Sequence, residues 1–420
     1  MRALFVTWAE PTHLLSLVPL AWACQAAGHE VRIAAPPPCA AAVTRSGLTA
    51  VPVGRDVAVD QIRNRADLAP WRSPGRWPEG WAARPELLDA GQRAVLAALA
   101  DKQFAVARAM GAELVAFARH WRPDVVVHDT LAYAGTVAAA AVGVPAFGHT
   151  WGSATVMRVE NEDLGARPLP GYTRLFTDLD VEPRDGPTAW FDPCPPALRL
   201  PDPGPPRHRV GVRYIPCNGR GVVPRWVVEE RSRPRVCVTA GASAAKTGPG
   251  APPDLLTGAA HALAGRGLEV VLAVDADQAG RLAGRLDGLP DRVRVAAGLP
   301  MSELLPTCAA VVHHGGSGTG LTAAAAGVPQ LVLPRIPVTA EIGERLRNAG
   351  AGLLPPPERQ ADPAVIGEAV EALLDDPRHA RAAARLSAAM RRVPSPAERV
   401  AVLEAAASAT LAEPGRAAAA

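Results

Sequence analysis

The segment His313-His314-Gly315-Gly316-Ser317-Gly318-Thr319 decides the reading of this chain. Ahead of it stands a short apolar run, residues 309–312, with the length and composition of a buried strand. Behind it the Ala-rich residues 321–326 read as a helix. A glycine-rich turn from strand to helix leaves free backbone N–H groups at a helix N-terminus, where the dipole favours an anion. An ordinary dinucleotide turn has no need of imidazoles, and the segment reads as a grip on the diphosphate of a nucleotide-activated molecule. Adjacent histidines on extended backbone point to opposite sides, and no third ligand lies at suitable spacing, so a metal site is not expected. One imidazole then faces the phosphate while the other packs or caps.

The same rhythm repeats outward from this turn. Residues 236–239, 270–274, 293–295 and 330–333 supply further buried strands in the second half of the chain. In the first half, residues 3–7 read as a strand and 14–27 as a helix stopped by Gly28; 31–34 then read as the next strand, a βαβ unit. Residues 125–127 and 144–147, with an Ala-rich helix between them, repeat it. At 420 residues the chain is too long for one ordinary core. The expectation is an α/β protein of two doubly wound parallel-sheet domains, with a Pro-, Gly- and Arg-dense boundary between about 193 and 235. Ligands of such sheets sit beyond the carboxyl ends of the strands, in the cleft.

Composition narrows the function classes. The net charge of +3 is small for this length and gives no reason to invoke nucleic acid or an anionic membrane. Lysine occurs only at Lys102 and Lys246, so arginine carries nearly all of the 44 basic side chains, a mark of coding bias rather than function. Six cysteines (Cys24, Cys39, Cys194, Cys217, Cys237, Cys308) are scattered without metal-ligand spacing, and a reducing cytoplasm is expected. Glu10 ahead of the first apolar segment argues against an export signal. The uncharged run 131–149 is broken by glycines and Pro145 and is read as helix then strand, not as a membrane span.

Several residues are candidates for chemistry. His13, after the first strand, aims an imidazole at the crevice, where it takes a proton or else merely neighbours a helix cap. Asp129 ends the strand at 125–127 and either orients that imidazole or caps the next helix. Gly241 and Ser243, after the strand at 236–239, form a second glycine turn towards the same cleft. Residues 54–92 break the α/β rhythm and carry Trp71, Trp77 and Trp81, which reads as a long mobile insertion shaping an acceptor pocket.

Taken together, Thr12-His13-Leu14, Val18-Pro19-Leu20-Ala21-Trp22-Ala23, Ala27-Gly28-His29-Glu30-Val31 and the run from Leu304 through the glycine turn to Ala326-Gly327-Val328-Pro329-Gln330 carry a resemblance. The chain resembles the two-domain, GT-B-fold glycosyltransferases of family 1. It is most similar to the bacterial subgroup that glycosylates natural products of the polyketide, macrolide and enediyne type with dTDP-deoxysugars. The resemblance spans essentially the whole chain. It implies an acceptor domain over residues 1–205 and a donor domain over 206–395, with the linker at about 200–235. A C-terminal helix, 396–420, would pack back on the first domain. It also implies inverting transfer to an acceptor hydroxyl, with His13 as general base supported by Asp129.

By the same resemblance the donor is held by Gly241, Ser243, His313, Gly315, Gly316, Ser317, Gly318 and Thr319, and its base lies at Gly298-Leu299. No cofactor or obligatory metal is implied. A partner resembling an inactive cytochrome P450 and a homodimer are the further partners it suggests. Relatives carry an Asp-Gln pair for sugar hydroxyls where this chain has Val338 and Thr339. The departure points to a deoxygenated or amino-substituted sugar, with Thr339 at the sugar and Glu341 offering a carboxylate to an ammonium. A sugar-nucleotide epimerase of the same architecture and a non-catalytic sugar-nucleotide-binding scaffold are the competing readings.

Overall fold

The computed structural model describes residues 1–59, 61, 65–152, 167–199, 208–241, 253–282 and 291–412. The first sheet has seven parallel strands: β1 (Arg2–Val6), β2 (Glu30–Ala35), β3 (Ala50–Pro52), β4 (Val125–Asp129), β5 (Ala146–His149), β6 (Ala189–Asp192) and β7 (Arg209–Gly211). The second has six: β8 (Arg235–Thr239), β9 (Glu269–Val274), β10 (Val293–Ala297), β11 (Ala310–His313), β12 (Gln330–Val332) and β13 (Gly352–Leu353). Both are Rossmann-like. Their orders, 3-2-1-4-5-6-7 and 10-9-8-11-12-13, reverse between β1 and β4 and between β8 and β11. Connections on the two sides of such a reversal leave on opposite faces and open a crevice there.

The central strands are apolar because helices cover both faces: β4 and β8 are buried at every position. Helix α1 (Pro11–Ala26) starts with proline at its first position and buries Leu14, Leu17, Val18, Leu20, Ala21 and Cys24. The long α2 (Ala90–Trp121) opens on a capping box in which Asp89 and Gln92 exchange side-chain and backbone bonds, and it ends at Arg122 in the left-handed region. Helix α3 (Ala134–Ala141) follows β4, α4 (Ala276–Leu282) follows β9, and α5 (Ser317–Ala326) follows β11. After β12 comes α6 (Pro337–Asn348). The last described helix, α7 (Pro396–Ala412), buries Val400, Leu403 and Ala407 in the first domain's core beside Leu14 and Leu17 of α1.

Two sequence expectations need correction. Strand β7 pairs with β6, so the first domain continues past residue 205 to Gly211 at least. The second correction concerns residues 54–92. Its described part folds as short 3₁₀ turns at Ala66–Arg72, Pro74–Arg76 and Pro85–Leu87, after which α2 begins. Trp71, Trp77 and Trp81 pack on one another with ring centroids 5.1–5.9 Å apart, and Trp77 and Trp81 are buried in the first domain's core. Three indoles remove too much apolar surface from water to stay on a loose loop.

Candidate active site

The crevice between the domains is a cavity of about 500 Å³, lined from both sheets at their carboxyl ends. His13 lines it as the third residue of α1, whose N-cap is Glu10. Its Nδ1 lies 3.1 Å from both carboxylate oxygens of Asp129, which ends β4 and is fully buried. β1 and β4 are hydrogen-bonded neighbours at the reversal of strand order, so two residues 116 apart in sequence meet. The Leu131 backbone N–H donates to Asp129 Oδ1 at 2.9 Å and holds the carboxylate in place. The Trp8 ring lies 4.8 Å from the imidazole, and the Trp151 ring meets it edge-on at 5.2 Å. Only 14% of the His13 side chain is exposed, and its Nε2 has no partner among the described residues. A carboxylate on Nδ1 fixes the tautomer that leaves Nε2 as the acceptor of a proton.

Opposite this dyad stands the glycine turn. Gly316, Ser317, Gly318 and Thr319 line the cavity at the N-terminus of α5. Of the two histidines, it is His314 that lines the cavity with them. His313 is buried: its Nε2 lies 2.9 Å from Gln330 Oε1, and its Nδ1 accepts the Gly315 N–H at 3.1 Å. Gln330 in turn donates to the Gly320 carbonyl, so His313 braces β11, β12 and α5 together. Burial pushes its pKa down to about 3. The expectation that His313 faces the diphosphate is corrected on this geometry, and Gly315, behind the turn, is likewise absent from the lining.

The His314 ring explains two of the glycines. A Cβ on Gly241 would stand 2.2 Å from its Cε1, and one on Gly316 would stand 2.5 Å from its Nε2. Gly241 also has φ +75°, in the left-handed region, so only glycine fits without strain. Its N–H donates to Thr239 Oγ1, and its carbonyl accepts from Gln278. Across the cleft, a Cβ on Gly152 would fall 2.4 Å from Ser317 Oγ, so the two domains meet closely at this turn.

Of the other candidates, Gly298, Leu299, Thr339 and Trp71 line the cavity with His13 and Gly241. Thr339 spends its hydroxyl on the start of α6, accepting the Arg335 and Ile336 N–H groups and donating to the Ile336 carbonyl. Glu341 is not in the lining. Its Oε1 accepts the Gly80 N–H at 2.8 Å, across the domain boundary, and burial raises its pKa. A carboxylate engaged there is not a partner for a sugar ammonium, and that expectation is corrected. Trp77 and Trp81 lie in the core instead of the cavity wall, and Ser243 lies outside the described residues.

Sequence reasoning missed Trp8, Trp151, Asp275 and Arg335, each lying just beyond the end of a strand, where the rule that found His13 applies equally. It also missed Tyr214 and Asn218, in the Pro-rich stretch after β7. Tyr214 donates to the Gly318 carbonyl at 3.1 Å, and Asn218 donates to Thr322 at 3.2 Å, tying that stretch to α5. Among the described residues no cluster of three or more His, Cys, Asp or Glu side chains is placed to hold a metal, and no helix is long and apolar enough to cross a membrane.

Comparison with known proteins agrees with this architecture. Residues 22–241 match the N-terminal domain, and 260–406 the C-terminal domain, of the erythromycin biosynthesis protein CIII-like family. The chain is 37% identical to the 3-alpha-mycarosylerythronolide B desosaminyl transferase of Saccharopolyspora erythraea, over 96% of this chain and 98% of that protein. It is 36% identical to the 10-deoxymethynolide desosaminyltransferase of Streptomyces venezuelae, over 96% of each. Among solved structures, the glycosyltransferase VinC in complex with dTDP superposes with a TM-score of 0.80 at 32% identity, covering 97% of this chain and 100% of VinC. Glycosyl transfer by these relatives decides against the epimerase and scaffold readings. With its two Rossmann-like domains and its facing dyad and glycine turn, the chain belongs to the erythromycin biosynthesis protein CIII-like family of GT-B natural-product glycosyltransferases.

Proposed function

We propose that this enzyme moves a deoxysugar from a dTDP-sugar to a hydroxyl of a hydrophobic natural-product aglycone, with inversion at the anomeric carbon. The observation that carries the reading is the His13–Asp129 pair, held in one cavity with the glycine turn of the opposite domain. The acceptor hydroxyl gives its proton to His13 Nε2, and Asp129 stabilises the imidazolium that forms. The acceptor oxygen bonds to the anomeric carbon from the first-domain side. The bond from that carbon to the β-phosphate oxygen breaks, and its electron pair leaves on dTDP. The N–H groups at the start of α5 face the charge that develops there. Trp8, Trp71, Trp151 and Leu131 give the first-domain wall an apolar character suited to such an aglycone.

Support for dTDP as the nucleotide comes from the VinC complex, and for a deoxysugar from the desosaminyl transferases. Protein groups meet the diphosphate charge in this scheme, without an obligatory metal. The reaction is placed in the cytoplasm. A cytochrome-P450-like activator and a homodimer, as the resemblance implies, complete the proposal.

The deciding assay measures transfer from a dTDP-deoxysugar to a panel of macrolide and polycyclic aglycones, with EDTA present. His13→Ala is expected to slow transfer about 10²–10⁴-fold while leaving dTDP affinity unchanged. Wild-type turnover by that variant overturns the base assignment, retained anomeric configuration overturns inversion, and loss of activity in EDTA that Mg²⁺ restores overturns the metal-free scheme.

A further inference from the structure

The glycine turn alone matches the donor's charge poorly. A nucleoside diphosphate brings about two to three negative charges, whereas a helix N-terminus offers roughly half of one positive charge. His314 does not make up the difference. Burial and the neighbouring Arg335 guanidinium push its pKa down to about 4, so its ring is neutral at pH 7.

Arg335 is differently placed. It lies just past β12, the strand beside the reversal of the second sheet, and lines the cavity with His314, Gly316 and Ser317. Its side chain is half-buried, and no carboxylate among the described residues pairs with it: burial lowers its pKa with no acid opposing the shift. Two other guanidinium groups at least partly out of water are matched by carboxylates. Arg235 sits 3.0 Å from Glu269, and Arg209 sits 3.1 Å from Asp192. A guanidinium keeps its charge at any working pH, and a partly desolvated cation without a partner is costly until an anion reaches it. Its planar fork suits phosphate oxygens. We propose that the Arg335 guanidinium binds the diphosphate of the nucleotide-sugar donor and carries part of the charge that develops there as the sugar leaves. This rests on the donor reading above.

Calorimetry with dTDP and with thymidine separates the phosphates from the nucleoside. The wild-type chain is expected to bind dTDP more tightly than thymidine. Arg335→Gln is expected to lose about tenfold or more in dTDP affinity with thymidine affinity unchanged. Arg335→Met, which keeps the aliphatic stem against the cavity wall, answers the same question if the glutamine variant does not fold. A neutral variant that keeps the full preference for dTDP overturns the role of Arg335 and leaves the donor reading standing. A wild-type chain that binds thymidine as tightly as dTDP overturns the donor reading itself.

Discussion

The two sheets reverse strand order at equivalent places, β1/β4 and β8/β11, and the chain fills the two crevices with different material. In the first, two titratable side chains meet: His13 from beyond β1 and Asp129 from the end of β4. In the second, the backbone of a glycine turn lines the cavity beside the Arg335 side chain, and the histidines are fitted around it: His313 braces the turn from behind, and glycines at 241 and 316 make room for His314. On the proposed mechanism, one topological position serves proton transfer or charge stabilisation, depending on which residues lie beyond the strand's carboxyl end. The first crevice should be sensitive to the identity of single atoms. The second should be sensitive to space and packing.

Asp129→Asn tests the atom-level half of that contrast and should show the largest effect. The amide keeps the shape, and its carbonyl oxygen still accepts from Leu131. Its NH₂ group, however, would face His13 Nδ1 and favour the tautomer that puts the proton on Nε2, where the proposed mechanism sends the acceptor's proton. Transfer should fall about 10²-fold at unchanged dTDP affinity, measured by initial rates and calorimetry. Wild-type rates would make the pair a structural contact.

The paired histidines test the other half. His313→Ala removes a group with both ring nitrogens bonded and leaves Gln330 and the Gly315 N–H unsatisfied, a cost of about 1–3 kcal/mol in stability. Because the folded-state pKa of His313 lies near 3, below the ordinary 6.5, the unfolded chain takes up the extra proton between those values. Stability from this group is complete above about pH 6.5 and declines as pH falls towards 3. Thermal unfolding of His313→Ala should therefore lose less stability on acidification than wild type does. His314→Ala should change Tm less and dTDP affinity more. The reverse pattern would return the phosphate-facing role to His313.

Much of this was legible in the sequence, for identifiable reasons. Apolar runs of three to five residues between helices announced the central strands, because parallel strands covered on both faces must be apolar throughout. Strands β3, β6, β7 and β13 escaped notice: they have two to four residues each, and three of them lie at sheet edges where burial is only partial. The glycine turn was legible because its chemistry is local. Which histidine faces the cavity was not, since that depends on Gln330 arriving from the next strand. The tryptophans show the same limit. In the sequence they read as a mobile insertion shaping an acceptor pocket, because whether an indole lines a cavity or fills a core is settled by contacts with α2 and its neighbours. Thr339 and Glu341 are alike in this respect, each drawn to backbone N–H groups that the sequence does not place.

Glu341 gives the smallest expected effect and the sharpest test of how the two regions are joined. Its carboxylate in α6 accepts the Gly80 N–H from the first domain, close to the turn that carries Trp71, and Glu344 and Glu79 add negative charge nearby. Burial raises its pKa above the ordinary 4.5, so between that value and the raised one the folded chain holds the extra proton. Stability from this group is therefore lost as pH rises through that window. Glu341→Gln retains an oxygen for Gly80 and removes the charge. Its Tm relative to wild type should climb as pH rises above the ordinary 4.5, with donor KM unchanged. Glu341→Ala removes this bond and should raise the acceptor KM a few-fold, about 0.5–1.5 kcal/mol for one lost hydrogen bond, because the segment carrying Trp71 is then held to the donor domain by one contact fewer. A donor KM that rises in the glutamine variant while the acceptor KM holds would show that this carboxylate reaches the sugar after all.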